Sequence, residues 1–419
     1  MNTVRKYTFN WIYIYYFLLL LILVARTSEA SPSSIVRLAY LTAFFVPIIF
    51  KYRNLYLPCL VCFMTIGTYG FAYSYFPYMM YLYAIISLVA VIFASNKVMQ
   101  IPISKLYTFI ILYVLIVDLV TSGKPSNIFY SLITISLGAI IAENNVPKYK
   151  TLFLNTFLII SIVMSLLYLL NYDKFLTSYN PADDMERSGW TDPNYLSCII
   201  GMGVVCSSIL LLRNIGKSIL LNSVRLFIIV LSLICQLLLA SRGGLLAVSG
   251  SILILLFFSD IKNKYKLLLS LVIALFIIWL YANNYFDLLI YRISNDADGS
   301  GRFQIWSKKI SAFLNDGSPV HWLFGYGYDG AFKLASTGDG YGFHNDFIAI
   351  LCGYGLVGLF LFIYCIFIYP LTRSKKTQST LISLELFLML SCLTLEPISA
   401  GRLTYFAFAY MILLFSRDV

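Results

Sequence analysis

In 419 residues, 60% are hydrophobic and only 12% are charged, with a mean hydropathy of +0.83, which excludes a soluble globular domain. A net charge of +11 would point to nucleic acid in a soluble protein, but most Lys and Arg fall in short connections between apolar runs, where they set membrane orientation and imply no nucleic-acid partner. Apolar runs of about 18 or more residues recur, each long enough to cross a hydrocarbon core about 30 Å thick.

Lipid cannot hydrogen-bond the backbone, so these runs must be helices. Period-2 barrel patterning is absent. The fold class is therefore all-α: a polytopic transmembrane helical bundle of about 12–14 spans, forming a single integral membrane domain. The first apolar run, Trp11 to Ala25, follows Arg5 and Lys6 and ends at Arg26 before the small residues of Ser28 to Ser34. Its length favours a retained first span over a cleaved signal peptide. Further spans centre near Phe44, Phe63, Ile86, Leu112, Ile135 and Ile160, then Val204, Ile229, Ile254 and Ala274, then Gly355, Phe387 and Ala407. The eight Cys lie within or at the edges of these runs. Cys59 and Cys62 form a CxxC inside a span without His or Cys beside it, so buried small hydrophobes are expected and no metal site.

Cations alternate along the chain. Arg5/Lys6, Lys51/Arg53, Lys148/Lys150, Lys262/Lys264/Lys266 and Arg373/Lys375/Lys376 fall on one side, while short connections on the other hold only Arg26, Arg37, Lys124 and Arg402. Positive charge retained inside then places both termini in the cytoplasm. Two outer connections are long, residues 171–194 and residues 281–343. The second far exceeds an ordinary connection, which marks it as functional. Within it, Trp306 to Phe313 carries apolar residues at helical spacing with Lys308 and Lys309 opposite, the pattern of a short interfacial helix.

Polar residues gather on the same outer side. In DDMERSGWTDPNYLS, Asp192 and Pro193 read as a cap and a first helical position, so the following helix aims its positive end outward. Arg187 just before it reads equally as a ligand contact or a solvated charge. Ser241-Arg242-Gly243-Gly244 separates two spans with almost no loop. A guanidinium there either snorkels to lipid phosphate or, as its bidentate geometry favours, binds a phosphate ligand; the glycines permit a tight turn and close backbone approach. Arg292 and Arg302 lie in the long loop. Asp296 and Asp298 beside them do not complete a calcium loop. His321 reads as structural. His344, with Asn345 and Asp346, stands where a Gly-rich loop meets a span, and an imidazole there has the right proton affinity to act as a base. Glu396 and Arg402 reach the same face. A base with several arginines and no metal-ligand cluster suits group transfer from a phosphate leaving group.

R-x-G-x-x-DPN opening a span, SRGG at a hairpin, GR followed by Trp in a long outer loop, and HNDFIAILCGYGLVG at a span start together resemble the O-antigen polymerase and O-antigen ligase superfamily. The resemblance covers Arg187 to Gly358. It implies a metal-independent, cofactor-free, GT-C-like glycosyltransferase of the bacterial inner membrane. Its active site would face the periplasm, and its donor would be an oligosaccharide on undecaprenyl diphosphate. It implies His344 as the catalytic base and Arg242 as its catalytic partner on the diphosphate. Arg187, Arg302, Asn194 and Asn345 would be the diphosphate- and glycan-binding residues. A Glu that many ligases carry two to three turns after the histidine is replaced here by Cys352-Gly353. The aromatic content of 17% and the number of spans favour a polymerase, which adds the glycan to another lipid-linked repeat unit, over a ligase, which adds it to lipid A–core. A chain-length regulator would be a further partner. A transporter of the same lipid-linked sugar is the weaker reading, because mid-span charges are scarce, Asp118 and Glu385 being the main ones. A purely structural assembly partner would have no need of His344.

Overall fold

The computed structural model of the protein describes residues 14–15, 18, 102–144, 148–170, 172, 193–214, 218–260, 262–295, 301–316, 318–334, 342–373 and 379–399. The expected spans near Phe44, Phe63, Ile86 and Ala407, the CxxC, Arg187, Asp192, Asp296, Asp298 and Arg402 lie outside the described residues, as does the side chain of Arg292. No strand occurs among the described residues, and the protein is an all-α polytopic helical protein.

In chain order the helices are α1 (Pro102–Ser122), α2 (Asn127–Asn144), α3 (Lys148–Leu170), α4 (Pro193–Arg213), α5 (Ile219–Leu238), α6 (Arg242–Phe258) and α7 (Asn263–Ala282). Four short helices follow: α8 (Asp287–Asn295), α9 (Arg302–Asn315), α10 (Pro319–Phe324) and α11 (Tyr328–Lys333). Then come α12 (Asp346–Ile363), a π-helical turn at Tyr364–Ile368, α13 (Tyr369–Arg373) and α14 (Ser379–Thr394). The expected centres at Leu112, Ile135, Ile160, Val204, Ile229, Ile254, Ala274, Gly355 and Phe387 each fall inside one of these helices. Among the described residues, 5 helical segments are long and apolar enough to span a membrane: α1, α4, α5, α7 and the run Asp346–Thr372.

Helix α4 is the axis of the bundle. Nearly every residue from Asn194 to Leu210 is buried, against α3, α5, α6 and α14. Small residues make this approach close, as membrane packing requires when lipid supplies no hydrophobic drive between helices. A side chain at Gly203 would collide with Ser161 of α3, and one at Gly244 with Ser197. Hydroxyl and amide groups then bond across the interfaces: Ser197 donates to Gln236 Oε1 at 2.6 Å, Ser161 and Ser232 hydroxyls meet at 2.8 Å, and Ser383 donates to the Ser251 carbonyl at 2.9 Å. The cysteines at 198, 206, 235, 352, 365 and 392 are buried free thiols. Helix α7 stands apart. Leu267, Leu268, Leu271, Leu275 and Ile278 are all exposed, so it is apolar over the surface it presents.

A second group, α1, α2 and α12, is tied by tyrosines. Tyr107 donates to the Cys365 carbonyl at 2.8 Å and Tyr113 to the Tyr354 carbonyl at 2.6 Å. Asp118, a mid-span charge in the sequence reading, accepts from the Tyr354 hydroxyl and the Ser126 N–H, both at 2.9 Å. That fully explains it as a structural acceptor for the α1–α2 turn and α12.

The span centred on Gly355 is not one continuous helix. Gly355 has φ 66 and ψ −168, which breaks α12 in its third turn. A break at that depth is tolerable only where protein supplies the missing hydrogen bonds. The loop between α10 and α11 does so: the Tyr326 N–H donates to the Cys352 carbonyl at 3.1 Å and the Gly327 N–H to the Gly353 carbonyl at 2.7 Å. Side chains at Gly325 or Gly355 would collide with the backbone of Gly353 or Leu323. Two Gly-Tyr-Gly triplets, 325–327 and 353–355, thus lie against each other, and the loop is sewn into the bundle.

Candidate functional site

The hairpin between α5 and α6 occupies three residues. Its left-handed residue is Ala240 (φ 47), not a glycine: Gly243 and Gly244 are already helical, which corrects the expectation that they make the turn. Their role is proximity. A side chain at Gly243 would press on Thr394 at the end of α14. Ser241 caps α6, accepting from the Gly244 N–H, and donates to Asn194 Oδ1 at 3.0 Å. Arg242 is the first residue of α6 and half-buried. Asn194 is the second residue of α4 and buried. The start of α4 is therefore joined to the polar cap of α6.

Helix α9 begins at Arg302, after Gly301 with φ 73. Arg302 Nη1 donates to the Thr394 carbonyl at 2.8 Å. One turn on, Trp306 Nε1 donates to the Phe343 carbonyl at 2.8 Å. Lys309 follows on the same face, and here the sequence expectation is corrected. Lys308 is exposed, but Lys309 is 6% exposed. Its ammonium bonds the carbonyls of Phe332 (2.6 Å) and Ala331 (3.4 Å) and lies 5.1 Å from the Phe343 ring centre. The carbonyls satisfy the ammonium, and the aromatic face holds it. Burial nevertheless lowers its proton affinity below the ordinary lysine value.

His344 adopts φ 50, a left-handed conformation uncommon for any residue with a side chain. Asn345 then caps α12: its Oδ1 accepts from the Ile348 N–H at 3.1 Å, while its Nδ2 donates to the Leu393 carbonyl at 3.1 Å. Both ends of this amide serve the scaffold. Asp346, fully buried, accepts from the N–H groups of Ser399 (2.7 Å) and Ile398 (3.1 Å). Glu396, 4% exposed, lies against Gly342, where a methyl group would come within 2.5 Å of its Oε2.

Residues 393–399 are thus the hub of the site. Arg302 and Gly243 meet it at Thr394, Asn345 at Leu393, Gly342 at Glu396 and Asp346 at Ile398 and Ser399. The starts of α6, α9 and α12 gather around this one stretch, and the start of α4 joins them through the Ser241–Asn194 bond. Each helix start carries partial positive charge and Arg242 and Arg302 add full charges, set against the buried Asp346 and Glu396 carboxylates. Of the residues expected at the site, His344, Arg242, Arg302, Asn345 and Asn194 are brought to the hub or to a residue adjoining it. Arg187 lies outside the described residues. Among the described residues no group of three or more His, Cys, Asp or Glu is placed to hold a metal ion.

Reading the sequence missed Trp306, Lys309 and Asp346 as site-building residues, whereas it had brought Glu396 to this face. The spacing of Arg302, Trp306, Lys309 and Phe313, one side of a helix, was the available signal. His321, read from the sequence as structural, has its Nδ1 2.6 Å from Asp316 Oδ2 and its ring against Tyr326.

Residues 227–363 match the model of the O-antigen ligase family, a stretch that runs from within α5 to the end of α12 and contains Arg242, Arg302, Trp306, His344 and Asn345. No curated protein and no solved structure matches the chain.

Proposed function

On the premise that this domain supports assigning the chain to the O-antigen ligase and polymerase superfamily, we propose that the protein is a glycosyltransferase that polymerises surface polysaccharide. The donor is a glycan on undecaprenyl diphosphate, and the acceptor is a sugar hydroxyl of another lipid-linked repeat unit. The carrying observation is the convergence of His344 with the starts of the helices bearing Arg242 and Arg302 on residues 393–399.

In this reading His344 takes the proton of the acceptor hydroxyl. The freed oxygen attacks the anomeric carbon from the face opposite the diphosphate, the new C–O bond forms, the bond to the diphosphate oxygen breaks, and the configuration inverts. Arg242, with the N-terminal amides of α6, receives the growing negative charge on the departing diphosphate, and Arg302 flanks it. Such charge is where preorganised donors contribute most. Asn194 and Asn345 act from beneath, through the caps they complete. The reaction sits on the periplasmic side of the inner membrane, with both termini in the cytoplasm.

Attachment of finished glycan to lipid A–core is the second reading, favoured by the ligase description of the matched family. Deleting the gene and resolving the surface polysaccharide on a gel separates the two. Single repeats attached to core indicate a lost polymerase, and bare core with lipid-linked polymer accumulating indicates a lost ligase. His344→Ala should lower transfer by about 100- to 10,000-fold; polymer at normal yield with normal protein level rules out His344 as the base.

A further inference from the structure

We propose that Trp306 is a positioning residue for His344, acting through the Phe343 carbonyl; the proposal rests on His344 being the base. The peptide unit between Phe343 and His344 is planar, so fixing its oxygen fixes the plane from which the His344 φ is measured. Trp306 Nε1 holds that oxygen at 2.8 Å. The Phe343 side chain is fully buried, its ring 6.3 Å from that of Phe332 and 5.1 Å from the Lys309 ammonium. On the other flank, Asn345 is tied to Leu393 and Ile348. His344 is thus held at φ 50 by neighbours pinned on both sides, and strain of this kind persists only where its surroundings over-determine it.

The rest of α9 docks without the indole N–H. Arg302 fastens one end to Thr394, and Lys309 fastens the next turn to Ala331 and Phe332. Removing that N–H therefore leaves the helix in place and releases the one carbonyl that orients His344.

The chain has 2 histidines, so His321→Gln leaves His344 as the one histidine of these 419 residues. Purified in detergent and labelled with 15N-histidine, this background should give one His344 signal set with one titration midpoint. Trp306→Phe should broaden or double that signal and shift its midpoint. Transfer assayed with lipid-linked glycan should lose about ten- to a hundredfold in kcat with KM for the donor unchanged. Should Trp306→Phe fold poorly, benzothienylalanine at the same position keeps the ring and removes only the N–H, and the same results are expected. An unchanged His344 signal, or a full kcat despite a changed one while His344→Ala is inactive, overturns the positioning role. A His344→Ala protein that retains transfer instead overturns the assignment of the base, whatever the Trp306 spectra show.

Discussion

A guanidinium at the first position of α6 and an ammonium buried under α9 illustrate how differently two cations are used at the residue scale. Arg242 sits where a helix start already concentrates N–H donors, so its forked geometry adds directed bonds to a diffuse field. Arg242→Lys keeps the charge and loses the fork, and transfer should fall about ten- to a hundredfold at unchanged protein level; full activity would leave lipid snorkelling as its role. Lys309 is the reverse case. Its ammonium is desolvated, and its folded-state proton affinity lies below that of the unfolded chain. The folded protein therefore binds fewer protons than the unfolded one between the two values, and the penalty for charged Lys309 fades as pH rises toward about 10.4. Compared with Lys309→Met in detergent, wild-type thermal stability should improve from pH 7 to pH 10; a difference that is flat or falls with pH would contradict this. Neither role was legible in full. Arg242 stood out because a charge between two spans is rare, whereas Lys309 looked like Lys308 because an amphipathic pattern gives the polar side of a helix, not whether a carbonyl rim waits there.

At the scale of the elements, hydrophobic length placed each described long helix, since the membrane imposes its thickness on sequence. It could not show that α12 breaks at Gly355, because a break costs nothing in hydropathy. The sequence trace of the break was the pair of Gly-Tyr-Gly triplets, legible only once the loop is seen to bond the Cys352 and Gly353 carbonyls. The region where a ligase glutamate was missing is in fact a docking surface for the loop, and a carboxylate beside Gly342, that of Glu396, arrives from a different connection. Gly355→Ala should cost about 1–3 kcal/mol for a positive-φ, extended backbone that is essentially confined to glycine, with the collision against Leu323 in addition. Limited proteolysis should then cut between α9 and α12 faster than in the wild type; equal rates would mean that the stitch does not hold the loop.

For the whole molecule, the alternation of cations supplied an orientation that the helices themselves do not reveal. A single cysteine at Ser311, an exposed position on α9, tests it in a background with Cys59 and Cys62 changed to serine. The six described native thiols are buried and should stay silent. An impermeant maleimide should label Ser311→Cys from outside intact cells; labelling only after the membrane is opened would invert the topology. What single-sequence reading could not supply at this scale was the hub, because hydropathy and charge describe one segment at a time and residues 393–399 matter through contacts 48 to 151 positions away in the chain.

That hub lies in the last of the described connections to leave the ribosome. Helices α6, α9 and α12 are all synthesised before it, and their partners at Leu393, Thr394, Ile398 and Ser399 do not yet exist while they are made. A nascent chain halted before α14 therefore carries its histidine and arginines with nothing to gather them. Biosynthetic order thus leaves the hub as the last of the described elements to be assembled, once residues 393–399 have been made.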